Sequence, residues 1–167
     1  KNSQGMERHR RTMYTYWRRM ALHPTLELLN APARDNCVIR RDASNIPTQA
    51  LALMNDPIFL EAGFGLARRM LERSKSHSIK DAIRFGFCLS TTRNPDQTET
   101  DALRGLYEKS LQTFSIDGDS AYKLLNSVRG ELALGVSPLN ASEVAFLAAW
   151  FQVANVLLNL DETISKG

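Results

Sequence analysis

The sequence predicts an all-α domain, an irregular bundle of about six helices with a long irregular crossing near the N-terminus. Three observations predict it. Apolar residues recur at three- and four-residue spacing in most stretches between turn signals. Pro47 and Pro57 each follow polar residues, as at the start of a helix. Beyond a short ambiguous stretch near the N-terminus, no segment keeps the apolar–polar alternation of a half-buried strand.

Between Met6 and Leu22, Tyr14, Tyr16 and Arg18 alternate as in a strand, whereas Met13, Trp17 and Met20 lie at helical spacing, and the helix is favoured. "HPTLELLNAP" then has room for a turn or two of helix. Residues 33–45 show no sustained period and form the crossing, with Val38 and Ile39 as its anchors. In "SNIPTQALALMNDPIF", Ser44 or Asn45 suits the cap of a helix opening at Pro47, because proline lacks the N–H that a first turn leaves unpaired and a polar side chain takes the others. Ala50, Leu51, Leu53 and Met54 make that helix apolar. It ends near Asn55, since the residue before a proline is pushed out of the α region. Asn55 or Asp56 suits the cap of the next helix, over 57–73, which turns Phe59, Leu60, Phe64, Ala67, Met70 and Leu71 inward and Glu61, Arg68, Arg69 and Glu72 outward. Gly63 within it reads as a point of close helix packing.

After the polar connection "SKSHS", Ile79, Ile83, Phe87 and Cys88 mark a short amphipathic helix ending before "STTRNPD". Leu103, Leu106, Tyr107, Leu111 and Phe114 mark another over 98–114, which "SIDGDS" breaks. Tyr122, Leu124, Leu125 and Val128 mark the next, ending near Gly130. Asn140, with Glu143 three residues on, has the pattern of a capping box and opens a last helix over 141–163. Its apolar core, "VAFLAAWFQVANVLL", is interrupted by Gln152 and Asn155 and falls short of the roughly 20 residues that cross a bilayer. It reads as a buried helix.

A chain of 167 residues suits a single helical domain, and the start "KNSQG" reads as an arbitrary cut from something larger. An apolar share of 43% and a charged share of 23% exclude a disordered or fibrous class. The net charge of +3 hides an asymmetry: residues 1–41 hold nine Lys or Arg against three acids, a balance of +6, so the remainder carries −3. Such a division recruits an electrostatic partner such as nucleic acid, or is neutralised within the fold. Interleaved Tyr14, Tyr16, Trp17 and Leu22, which want burial, favour the second.

"RRTMYTYWRRM", "LLNAPARDNCVIRR", "NIPTQALALMNDPIFLEAGFGLARRM" and "NVLLNLDE", in that order, resemble the domain of unknown function at the C-terminus of large planctomycete proteins, many of which carry a planctomycete cytochrome C domain near the N-terminus. The likeness spans nearly the whole chain and is strongest over 10–72 and 150–162. It is weak over 94–135, where "NPDQTE" replaces a more proline-rich, acidic joint. The resemblance implies a multidomain, exported bacterial protein in an extracytoplasmic compartment, with the upstream domains of the same chain as partners. It implies haem in an upstream domain, and it brings no reaction and no catalytic residue.

The residues agree that haem is not attached here, since neither Cys37 nor Cys88 begins or ends a C-x-x-C-H. Two cysteines also exclude a cysteine-only zinc site. His9, His23 and His77 are scattered and read as solvated or capping residues, so no metal is expected. The nucleophile elbow and the glycine-rich phosphate and dinucleotide loops are absent. Asp117 and Asp119 supply too few ligands for an EF-hand and read as a capping turn. Asp161 and Glu162 would close the last helix, against its dipole, which points either to solvation or to partners such as Arg10, Arg11 or Arg18.

The best polar constellation is Trp17, Arg18, Arg40, Arg41, Asn45, Gln49 and Asn55. It reads as an internal network tying the crossing to the first capped helix, or as a site for a carboxylate, a sulfated sugar or an acidic surface. Gln49 stands inside its helix, where capping does not explain it, so its amide is expected to bond backbone of the 33–45 crossing. The expected function is a non-catalytic helical module packing on neighbouring domains. The alternatives are a share in an active or carbohydrate-binding site formed with the upstream domain, and nucleic-acid binding through the basic N-terminal segment.

Overall fold

The computed structural model describes residues 14, 23–32, 37, 39, 46–128 and 140–164, and among these there are eight helices and no strand. They are α1 (Pro24–Leu28), α2 (Pro47–Asn55), α3 (Pro57–Ser76), α4 (Ile79–Thr91), α5 (Gln97–Ile116), α6 (Gly118–Val128), α7 (Ala141–Leu158) and α8 (Asp161–Ile164). The all-α expectation holds.

Local chemistry sets most of the boundaries. Pro24, Pro47 and Pro57 each open a helix. Asp56 closes α2 and caps α3: its Oδ1 accepts the Ile58 N–H at 2.9 Å, and its Oδ2 accepts the Thr25 hydroxyl at 3.1 Å. Ser78 and Asp81 cap α4 reciprocally, the Ser78 Oγ accepting the Asp81 N–H at 3.1 Å and the Asp81 carboxylate accepting the Ser78 N–H at 3.3 Å. Asp96 and Glu99 do the same for α5 at 2.7 and 2.8 Å. As expected, the Glu143 carboxylate reaches back to the Asn140 N–H, at 3.4 Å.

The core forms around α7, which is apolar nearly all round and is covered by α3, α5 and α6. Its Trp150, Val153 and Leu157 are fully enclosed. Phe64, Ala67 and Met70 meet them from α3, Ile83 and Phe87 from α4, Leu103 and Tyr107 from α5, and Ala121 and Leu125 from α6. The Tyr107 and Trp150 rings lie 4.2 Å apart between centroids, and burial pushes the Tyr107 phenol up in pKa. Two glycines permit the close approaches. A Cβ on Gly63 would stand 3.2 Å from the Phe151 ring, and one on Gly86 would stand 2.6 Å from the Met70 sulfur. Gly63 is the close-packing residue that the sequence suggested.

Several expectations change. Glu61, expected outside, is 2% exposed, because α3 packs on α2 as well as on α4 and α7 and its buried arc is wider than one stripe. Ile39, expected to anchor the crossing, is fully exposed, as is most of Tyr14. Tyr122 also faces outward, since Ala121 and Leu125 occupy the inner side of α6. The "IDGDS" break shrinks to Asp117, whose carboxylate accepts the Ser120 N–H at 3.1 Å and so caps α6, as the capping reading proposed. The last helix does not run on to 163. Asn159 turns its amide back to the Asn155 carbonyl at 2.8 Å, and α8 starts afresh after Leu160.

Candidate functional site

Of the polar constellation, Trp17, Arg18, Arg40, Arg41 and Asn45 lie outside the described residues, and Gln49 and Asn55 can be placed. The structure separates these two. Gln49 is 2% exposed and faces α1, its Nε2 donating to the Leu28 carbonyl at 2.7 Å and its Oε1 accepting the Ile46 N–H at 3.2 Å. These two backbone partners flank the 33–45 crossing, whose own residues, apart from Cys37 and Ile39, lie outside the described residues. Ile46, which has no side-chain acceptor, occupies the cap position expected for Ser44 or Asn45, and the Gln49 amide answers its N–H instead. Asn55 is exposed and donates to the Leu51 carbonyl at 2.7 Å, so Asp56, not Asn55, is the cap of α3.

Of the other candidate groups, His9 lies outside the described residues, and the two remaining histidines sit at helix ends. His23 precedes α1 and its carbonyl accepts the Leu26 and Glu27 N–H groups, while His77 closes α3. Both cysteines are free thiols, and Cys88 donates to Asn94 Oδ1 at 3.2 Å. Among the described residues no group of three His, Cys, Asp or Glu is placed to hold a metal ion. Also among them, no helix is long and apolar enough to cross a membrane.

Glu162 pairs with Arg93, while Arg10, Arg11 and Arg18, the partners suggested for it and Asp161, lie outside the described residues. The Arg93 guanidinium lies 4.8 Å over the Phe87 ring and grips Glu162 through two bonds of 2.8 Å and Glu99 through bonds of 2.6 and 2.9 Å. This joins the α4–α5 connection to α8. Hydrogen bonding from Arg93 holds both carboxyls below their usual range, Glu99 at about 2, and the two carboxylates raise the Arg93 pKa in turn. At the start of α8 the acids face the favourable end of a helix.

What the described residues present to a partner is an exposed face along α2 and α3. Leu51 and Met54 on α2 and Ile58 at the start of α3 are 63%, 48% and 37% exposed. The sequence had counted Leu51 and Met54 into a short apolar helix without assigning them a side; burial of Gln49 and Leu53 turns these two outward. On α3 a line runs from Ile58 through Ala62, Gly65, Arg69 and Arg73. Spacings of four, three, four and four residues from Ile58 keep all five within about 80° of helix circumference, at about 100° per residue. Ala62 is exposed, and a Cβ on Gly65 would meet nothing within 4 Å.

Across from Arg69 and Arg73 stands Phe85 of α4, whose ring centroid lies 5.6 Å from one guanidinium carbon and 5.8 Å from the other. Neither guanidinium has an ion pair or a hydrogen bond among the described residues. Sequence reasoning had put Arg69 on the solvent side and missed its pairing with Arg73 across one ring. The i, i+4 spacing of two arginines was the available signal, and the Phe85 contact needed the fold.

A family model described as PSD1, protein of unknown function (DUF1553), matches residues 1–107, and the chain belongs to that family. The match ends at Tyr107 and does not reach residues 150–162. No curated protein and no solved structure matches the chain.

Proposed function

We propose that the chain is a non-catalytic helical module that packs on neighbouring domains of a larger, exported protein, with any haem held by an upstream domain. The observation that carries this reading is the apolar corner at the α2–α3 joint. Leu51, Met54 and Ile58 keep a third or more of their surface in water, and Pro57 with the Asp56 cap holds their two helices at a fixed joint. Complete burial of such a side chain is worth roughly 1.5–3 kcal/mol, and these three retain about half of that for a partner. Scattered exposed apolar residues need no explanation, but three within eight residues on either side of one capped joint form a group that a partner can cover. The family description supplies no reaction, and the candidate polar groups described above act as caps, joints and clasps.

Hydroxyl-radical footprinting of the full-length protein tests the proposal. Met54 is expected to be oxidised far less than its exposure in the chain by itself allows, and Leu51→Glu is expected to restore its labelling. Equal labelling of Met54 with and without the neighbouring domains would overturn the reading. The exported setting is checked separately by whether the mature protein is recovered outside the cytoplasm.

A further inference from the structure

We infer that the exposed face of α3 and α4 is a docking strip for a protein segment that carries carboxylates at one end and apolar side chains at the other. The inference deepens the docking reading and rests on it in one respect, that the partner is a protein.

The strip has direction. It begins at the apolar Ile58 and ends at Arg73, a run of 15 residues or about 22 Å at 1.5 Å per residue. Its middle is shallow, because Ala62 and Gly65 put almost nothing above the helix backbone. α4 lies antiparallel to α3 after the two-residue connection at 77–78, and supplies the second wall. Phe85 stands opposite the arginines, and Leu89, 45% exposed, follows one turn on, toward the Gly65 level.

The basic end is prepared for oxyanions. Both guanidiniums lie within about 6 Å of one ring and make no hydrogen bond or ion pair among the described residues, and the charge of Arg73 is felt only in part by Asp81, whose carboxylate it helps to keep ionised. A guanidinium edge matches a carboxylate with two parallel hydrogen bonds. The same end argues against a nucleic acid. A polyphosphate needs a row of cations along its path, but here Asp81 lies one turn before Phe85 on α4, Glu72 adjoins Arg73, and the far end of the strip is apolar. Asp81 stays ionised, its carboxylate accepting the Ser78 hydroxyl at 2.7 Å, which holds its pKa down. One or two carboxylates therefore fit nearest Arg69, with apolar groups running back toward Ile58. A helical partner of about 15 residues or an extended one of about seven spans the distance.

The test follows the arginine Nε–H and isoleucine methyl resonances of the full chain during titration. The probes are a 15-residue amphipathic peptide with leucines on one face and three glutamates at one end, the same peptide with glutamines, and a 12-nucleotide thymidine single strand. The acidic peptide should move the Arg69, Arg73 and Ile58 signals along one saturation curve. Glutamine peptide, or the Arg69→Gln/Arg73→Gln double variant, should weaken binding about tenfold or more, as loss of charge-assisted hydrogen bonds does. Both arginines are exposed at the surface, and an unchanged circular dichroism spectrum verifies the variant's fold. Movement of Ile58 without the arginines overturns the inference and leaves the docking reading standing. If no signal moves, or if all exposed arginines move alike, the inference falls, and Met54 footprinting then decides the broader reading by itself. Tighter saturation by the oligonucleotide would replace the inference with a nucleic-acid surface.

Discussion

Replacing Gln49 by leucine removes a buried amide that fastens α1 to α2. The side chain is 2% exposed, and its bonds among the described residues run at 2.7 Å to the Leu28 carbonyl and 3.2 Å from the Ile46 N–H. The two losses are unequal. Ile46 is exposed, so its N–H regains water at little cost. The Leu28 carbonyl faces a side chain that water does not reach, and leaving such a group unpaired costs about 1–3 kcal/mol. Leucine matches the volume well enough to avoid a large cavity term, so the polar loss dominates. Because α1 and α2 lie at the margin of the core, the loss should appear as local opening, not as global unfolding. Native-state hydrogen exchange reads it directly: amides held by this joint, such as Ala31 bonded to the Leu26 carbonyl and Asp56 bonded to the Ala52 carbonyl, should exchange roughly 5- to 150-fold faster. Amides in α7 should keep their rates. Unchanged exchange at Ala31 and Asp56 would refute the argument, as would an equal acceleration throughout α7.

Three further outcomes are expected. Asp56→Ala should destabilise by about 1 kcal/mol in urea unfolding, since it removes the α3 cap together with the Thr25 bond, whereas Asn55→Ala, on an exposed surface, should cost clearly less. Gly65→Ala should stabilise by about 0.5–1 kcal/mol, because nothing stands within 4 Å of the new methyl, while Gly86→Ala should lose that gain to the clash with the buried Met70; paired melting curves check the ordering. On acidification the Arg93 clasp should weaken. Glu99 and Glu162 have folded pKa values below the ordinary 4.5, Glu99 at about 2, so their contribution is present above pH 4.5 and is lost as pH falls toward 2. Arg93→Gln should flatten that part of the stability–pH profile, and an unaltered profile would contradict the assignment.

The all-helical class and most helix starts were legible in the sequence, because they rest on local chemistry. A proline suits a first turn, and a side-chain oxygen two or three residues from a free N–H can cap it wherever the rest of the chain goes. Pro47, Pro57, the Asn140–Glu143 pair and the Asp117 turn all behave so. The apolar stretch in α7 was legible as buried for a similar reason, since no face of it is polar. What only the tertiary structure decided is which of several adequate groups meets which. Glu61 is inside because α2 folds over α3, and Arg93 reaches Glu162 because the α4–α5 connection ends beside α8. Leu51 and Met54 face water because a nine-residue helix buries one side and Gln49 with Leu53 claimed it. Arg69, Phe85 and Arg73 become one site only when α3 and α4 lie antiparallel. Periodicity gives a helix an inner and an outer side, but a partner is a matter of distance across the fold, and the energies separating one arginine or one face from another are too small and too long in range to be written into local sequence.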